Sequence, residues 1–318
     1  MKNIWLEGIM GVVVGDALGM PVQFTGRERR RRNPITKMVG YGTYNMPAGT
    51  WSDDSSMTLA TLTSIREKRT IDLQDIMKHF VDWLYRGEYT PYGMSFDEGN
   101  TCVHAISTFA RNQDVYTCGK TGEYANGNGA LMRIMPVCLF AYEKQKSGEI
   151  TEEEGLTWIH EVSALTHNHL RSQIACGIYY YMIKAILEQG GSLTERLQAG
   201  VDEAVEYYEK ICGQELAHYK RLFVLKDFAK MPEEEIKSSG YVVDSLEAAV
   251  WSLITENSFE GALLKAVNLG DDTDTVGAIA GGLGALYYGY EDIPAEWLEV
   301  IVKREEIEGD LRNMSEVN

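Results

Sequence analysis

Apolar residues recur every three or four positions along most of the chain, the period of an amphipathic helix, and alternating two-residue patterns are scarce. The run 71–85 shows this spacing clearly, and segments 155–165, 172–189, 194–212, 244–256 and 259–268 repeat it, each bounded by Gly, Ser or Asn. No strict repeat of 20–50 residues is visible, which argues against a solenoid. With seven prolines and no Pro-, Gly- or Ser-rich linker, nothing marks a boundary, so the pattern predicts one compact all-α domain of ten or more helices over residues 1–318. The stretch 205–240, rich in Lys and Glu, reads as a charged excursion from the core. The apolar run 277–289 carries Gly277, Gly281, Gly282, Gly284 and Gly289, and each glycine inside a helix costs roughly 1 kcal/mol relative to Ala. Close backbone approach offsets that cost, which predicts a central helix packed on several neighbours.

Composition adds exclusions. Hydrophobic residues at 44% and charged residues at 24% are those of a folding globular chain. A net charge of -17 repels nucleic acid and anionic lipid, so neither is an expected partner. The run Arg27 to Arg32 is the exception, expected as a solvated face rather than an anion or partner contact. Five widely spaced cysteines, none in a C-x-x-C pair, write neither a disulfide framework nor a thiolate zinc site and fit a reducing, cytoplasmic setting. The N-terminus lacks the pattern of a secretory signal, and the apolar run 276–290 is shorter than the ~20 residues a bilayer needs, so no membrane span is expected.

Candidate chemistry lies in two acidic clusters. Gly270-Asp271-Asp272-Thr273-Asp274-Thr275 sets three carboxylates and two hydroxyls directly before the glycine-rich helix. One aspartate there would be an ordinary N-cap; three like charges beside an apolar helix need a cation or donors. Ser52-Asp53-Asp54-Ser55 opens a second apolar helix with the same chemistry. Hydroxyl and carboxylate oxygens without Cys or His suit Mg²⁺ or Mn²⁺, and the two clusters together supply enough ligands for a two-metal site. Helix capping is the alternative for each. Asn126 to Arg133 is a glycine-rich turn running into a helix, whose backbone N–H groups could hold a phosphate. Asp97 and Asn100 could place a carboxylate and an amide at a helix start, again with capping as the alternative. His167 and His169, two apart and without a third soft ligand, do not read as zinc ligands, and a satisfied or substrate-contacting His167 is expected.

Taken in order, Gly15-Asp16-Ala17-Leu18-Gly19, Trp51 to Ser55, Gly127 to Arg133, Thr166-His167 and Gly270 to Thr275 resemble the ADP-ribosylglycohydrolases, over about residues 4–290. The resemblance implies an all-α, orthogonally packed domain with two Mg²⁺ (or Mn²⁺) ions in a central cleft. It also implies hydrolysis of the bond between ADP-ribose and an acceptor, an ADP-ribosylated protein or a small ADP-ribose conjugate. Ser52, Asp53 and Asp54, with Asp272, Asp274 and Thr275, match the metal ligands. Asp97 and Asn100 match the acid and amide of the substrate loop, and Gly127, Asn128, Gly129 and His167 match positions around the ADP-ribose. Asp97 is the expected proton-transfer group, with Asp54 and Asp272 the carboxylates beside the reacting centre.

The chain departs from the family where a Glu commonly approaches the metal site, because Gln23 stands there and an amide cannot accept a proton; its expected role is substrate binding. Ser52 and Ser55 stand where threonines are usual, and Asp271 adds a charge. The competing readings are a catalytically silent ADP-ribose-binding or structural protein, and a metal hydrolase of another nucleotide or glycoside. The acceptor and the oligomeric state are not written in the sequence.

Overall fold

Asn3 starts the first helix by accepting a hydrogen bond from the N–H of Leu6 at 3.0 Å, the bond an N-cap supplies. The computed structural model describes residues 3–314; Met1, Lys2 and residues 315–318, and with them the ends of the expected 1–318 unit, lie outside the described residues. In chain order the helices are α1 (Ile4–Gly19), α2 (Arg27–Arg32), α3 (Asp53–Lys68), α4 (Leu73–Arg86), α5 (Asn100–Asn112), α6 (Met135–Lys146), α7 (Glu152–Ala164) and α8 (Leu170–Glu188). They continue as α9 (Leu193–Leu216), α10 (Leu225–Phe228), α11 (Val242–Ile254), α12 (Phe259–Asn268), α13 (Thr273–Tyr288), α14 (Ala295–Val300) and α15 (Arg304–Met314). The described residues form no strand, only isolated bridges pairing Lys120 with His167 and Gly127 with Tyr241. The fold is all-α, as the periodicity predicts.

Local signals account for the helix ends. Thr151 with Glu154 and Ser192 with Glu195 form reciprocal capping boxes opening α7 and α9, and Gly87, at φ 70°, closes α4 in the left-handed conformation. The helix expected to stop at residue 212 instead runs to Leu216 across a non-helical Cys212.

α13 lies at the centre, packed on α1, α8, α11 and α12. Its glycines meet those of α1: a Cβ on Gly15 would lie 2.0 Å from the carbonyl oxygen of Gly277, and one on Gly281 2.1 Å from that of Gly11. Only hydrogen at these positions lets the two backbones touch. The window Ile4–Val22 is long and apolar enough to cross a bilayer, yet 89% of it is buried inside the protein, the condition of a core helix. Gly15→Val should therefore cost at least about 3 kcal/mol in urea unfolding through overpacking. Gly309→Ala, with no atom within 4 Å of the new methyl, should be neutral or stabilising by about 0.5–1 kcal/mol.

Two expectations need correction. The 205–240 stretch is not an excursion: Tyr208, Leu216, Tyr219, Leu222, Leu225, Phe228 and Ile236 are all buried in the core. Charged residues separate these side chains and mask their spacing. Nor is the arginine run a simply solvated face. Arg27 donates to the carbonyls of Leu269 (2.9 Å), Glu233 (2.6 Å) and Ile236, and Arg31 pairs with Glu233 and Glu234, so α2 clamps the 233–238 loop.

Candidate active site

The α1–α13 contact brings the two acidic clusters together. Asp16, the one carboxylate in the last turn of apolar α1, is fully buried and points at the turn that opens α3. It accepts from the N–H and hydroxyl of Ser52 at 2.9 and 2.8 Å and from those of Ser55 at 3.0 and 2.5 Å. Burial pushes its carboxyl up to about 6 despite these four bonds. Held this way, α3 presents Asp53 and Asp54 beside the N-terminus of α13, where the Thr275 hydroxyl reaches Asp54 Oδ2 at 3.4 Å.

Capping does not explain the clusters. Ser52 and Asp272 occupy the N-cap positions of α3 and α13, and neither side chain makes a cap bond. Ser52 spends its hydroxyl proton on Asp16, while Asp272 accepts from Asn128 Nδ2 at 2.6 Å and Gln23 Nε2 at 3.4 Å. Asp54 Oδ1, Asp274 Oδ2, Asp97 Oδ2 and Gln23 Oε1 are buried with no hydrogen-bond partner. Orphaned anionic oxygens converging in one region cost several kcal/mol each unless a cation or proton meets them. Burial, and after it mutual repulsion, lifts Asp53, Asp54 and Asp274 well above the usual carboxylate range. Hard oxygen donors with unspent lone pairs fit a divalent cation.

These shifts have a sign that can be measured. Burial lifts Asp16 to about 6 from its ordinary 3.8, so between those pH values this group holds more proton in the folded protein than in the unfolded chain, while buried His160 and His167, pulled down, act in the opposite sense. The Asp16 contribution to the stability of the metal-free protein should therefore be lost as pH rises through that window, and Asp16→Asn should remove that part of the pH dependence. Saturating Mg²⁺ or Mn²⁺, which needs the ionised carboxylates, should flatten or reverse the trend. Melts from pH 4 to 7 with chelator and with metal would show both.

Asp53, Asp54, Asp97, Asp272 and Thr275 line an open cleft of about 250 Å³, with Gln23, Asn100, Gly127, Asn128, Gly129 and His167 among its other walls. Ser52 and Asp274 are buried and do not reach the cleft surface. Among the described lining residues there are four carboxylates and no Lys or Arg. Asp97 sits at φ 60° on the loop before α5, whose N-cap is Gly99, so neither Asp97 nor Asn100 caps that helix. The Tyr44 hydroxyl donates to Asp97 Oδ1, while Oδ2 is buried without a hydrogen-bond partner. Burial raises the Asp97 carboxyl above its ordinary value.

On the far wall, Gly129 is required: a Cβ there would stand 2.9 Å from both Cys102 Sγ and His167 Cε1. The expected phosphate-holding turn is partly spent, because the Asn128 N–H donates to Gly240 O and the chain enters one 3-10 turn before α6. His167 is buried, and burial pulls its imidazole down to about 3, so it is neutral. Its Nδ1 lies 2.8 Å from Thr166 Oγ1, which also accepts from buried Arg133. The direction of the Thr166 bond follows the ring tautomer, and the other ring nitrogen, Nε2, stands beside Gly127 and Gly129.

Sequence reasoning missed Asp16, Tyr44 and the Arg133–Thr166 pair behind His167. A lone acid in an apolar helix was the available signal for Asp16; Tyr44 carries none. A separate group, Glu67, Asp75 and His79, has ligand atoms within 4.8 Å of one another, but Asp75 already takes bonds from Ser64 and Lys68 and reads as an ion-pair network.

The ADP-ribosylglycohydrolase family profile matches residues 4–317. The chain is 30% identical over 299 residues to "ADP-ribosylarginine hydrolase Tri1" of Serratia proteamaculans (strain 568), covering 94% of this chain and 75% of that one. It is 30% identical over 298 residues to "ADP-ribosyl-[dinitrogen reductase] glycohydrolase" of Rhodospirillum rubrum, covering 92% and 88%. Among solved structures, an "ADP-ribosylglycohydrolase-related protein complex" superposes with a TM-score of 0.79 at 29% identity, covering 98% of each chain.

Proposed function

Because the chain belongs to the ADP-ribosylglycohydrolase family and hydrolyses the bond joining ADP-ribose to an acceptor, we propose that its acceptor is an arginine side chain and that two divalent cations, Mg²⁺ or Mn²⁺, serve the reaction. The family is one of metal-dependent hydrolases. The observation that carries the metal reading is the cleft itself: four carboxylates and no Lys or Arg line it, a donor set that suits divalent cations. The arginine reading is supported by the name of the Serratia relative, an ADP-ribosylarginine hydrolase.

Asp53, Asp54, Asp272 and Asp274, with the hydroxyl oxygens of Ser52 and Thr275, would hold the cations, which supply Lewis acidity toward water and sugar hydroxyls. Asn128 and Gln23 orient Asp272 from two sides. The neutral His167 presents Nε2, and the Gly127–Gly129 turn its backbone, to the anionic ADP-ribose. Asn100, exposed at the cleft mouth, offers an amide to the same ligand. Asp97, fixed by Tyr44 on one oxygen and free on the other, takes the proton of the attacking water. The cleft carboxylates Asp54 and Asp272 offset the positive charge that develops on the ribose as the bond breaks. Gln23 has no proton-accepting form, so it positions rather than transfers: Gln23→Ala should chiefly raise KM, and Gln23→Glu should leave substantial activity. Steady-state kinetics would separate the two.

A panel of ADP-ribosyl-arginine, ADP-ribosyl-serine and O-acetyl-ADP-ribose tests the acceptor. The arginine conjugate should be cleaved with the highest kcat/KM. Preference for serine or the acetyl ester would replace the acceptor reading and leave the family activity in place.

A further inference from the structure

α2 divides its arginines. Arg27 and Arg31 are committed to protein acceptors, as described above, but no hydrogen bond or ion pair engages the side chain of Arg29 or Arg30 among the described residues. Arg30 is nevertheless only 6% exposed, with its Nε buried and partnerless. A desolvated Nε–H without an acceptor costs free energy, and in a chain with 47 acidic residues a partner could readily be placed there. None is: burial lowers the Arg30 pKa, and the neighbouring charge that acts on it is Arg29.

Both side chains line a cavity of about 520 Å³, walled also by Asn33, Ile35, Val39 and the turn around Gly42. No Asp or Glu lines it among the described residues. The threonine hydroxyls are already used: that of Thr25 donates to Val22 O, and that of Thr43 donates to Gln23 O at 2.7 Å. What is left unspent is two guanidiniums, the Asn33 amide and the Tyr41 hydroxyl, a donor-rich set with a charge of two and no carboxylate. Two guanidiniums match one dianion, and the planar fork of each suits the oxygens of a phosphoryl group.

We propose that this cavity, separate from the carboxylate cleft, is a binding site for a small phosphoryl anion, free as orthophosphate or carried by a phosphorylated metabolite. Its floor is the segment Pro21 to Thr25, which on its other side gives Gln23 and Phe24 to the cleft, so the bound anion would sit behind a wall of the active site.

Phosphorus NMR titrations of the full chain with orthophosphate and with glycerol phosphate test this. One saturable site with a dissociation constant below about 1 mM is expected for orthophosphate, competed by sulfate and not by equal chloride. Binding of the monoester too identifies a site open to metabolites, and its exclusion identifies one for the free ion. Arg29→Gln and Arg30→Gln should each weaken binding at least tenfold, while Arg32→Gln, outside the lining, and Asp272→Asn, in the cleft, should bind as the wild type. Should Arg30→Gln fail to fold, exposed Arg29 still decides, with Arg30→Lys as the charge-keeping variant. Absence of saturable binding, equal weakening by Arg32→Gln, or loss in Asp272→Asn with retention in Arg29→Gln would overturn the proposal.

Discussion

Asp272→Asn and Asp274→Asn will each lower the rate of ADP-ribosyl hydrolysis at least ~100-fold while leaving the metal-free protein as stable as the wild type or more so. Asn keeps the shape and removes the charge. Without a cation the wild type holds Asp53, Asp54, Asp97 and Asp274 against one another in a buried region, and desolvation opposes ionisation of each. Removing one charge relieves that repulsion, and the orphaned Asp274 Oδ2 becomes part of a neutral amide. If the carboxylates were caps, the same changes would instead cost little stability and little rate, because Asn caps a helix about as well as Asp. Rate and melting temperature measured side by side with Asp53→Asn and Asp54→Asn included distinguish the two, because only the metal account predicts a large loss of rate in a protein that stays folded.

Asp97→Asn should depress kcat by roughly 10²- to 10⁴-fold with a much smaller change in KM. The substitution tests the proton and little else. Asn tolerates the left-handed backbone at φ 60° and can still accept from the Tyr44 hydroxyl, so the loop before α5 keeps its course. Tyr44→Phe should lower kcat less, because it frees the carboxylate to turn without removing it. A pH-rate profile adds a second reading: the limb assigned to Asp97 should vanish in Asp97→Asn and move in Tyr44→Phe.

Much of the helical frame is legible in the sequence because burial imposes a period. The run 259–268 coincides with α12, and the glycines of 277–289 do mark a central helix, since a backbone-to-backbone crossing has no other economical solution. Misreadings fall where composition and period disagree. Tyr208, Tyr219 and Phe228 are core residues set among lysines and glutamates, and averaging over 205–240 hides them. The arginine run defeats composition for a similar reason: charge alone does not say that Arg27 would find three carbonyls 206 to 242 residues away while the Arg30 side chain would find nothing.

The acidic clusters are visible in the sequence, but capping and metal binding use the same residues at helix starts, and only the geometry separates them. Ser52 facing Asp16 and Asp272 facing Asn128 are long-range pairings that no local pattern encodes. Asp16 itself is written as part of a Gly-Asp motif without any hint of what it holds. Its place follows from α1 lying against α13, a contact between the two ends of the chain.

The most direct test of the account is turnover of an ADP-ribosylarginine peptide by protein stripped of divalent metal, verified by elemental analysis, and then titrated with Mg²⁺ or Mn²⁺. The account predicts no turnover above background in the stripped protein and recovery on titration, with Asp272→Asn recovering at least ~100-fold less activity at the same metal concentration. Full turnover by the metal-free wild type would contradict it.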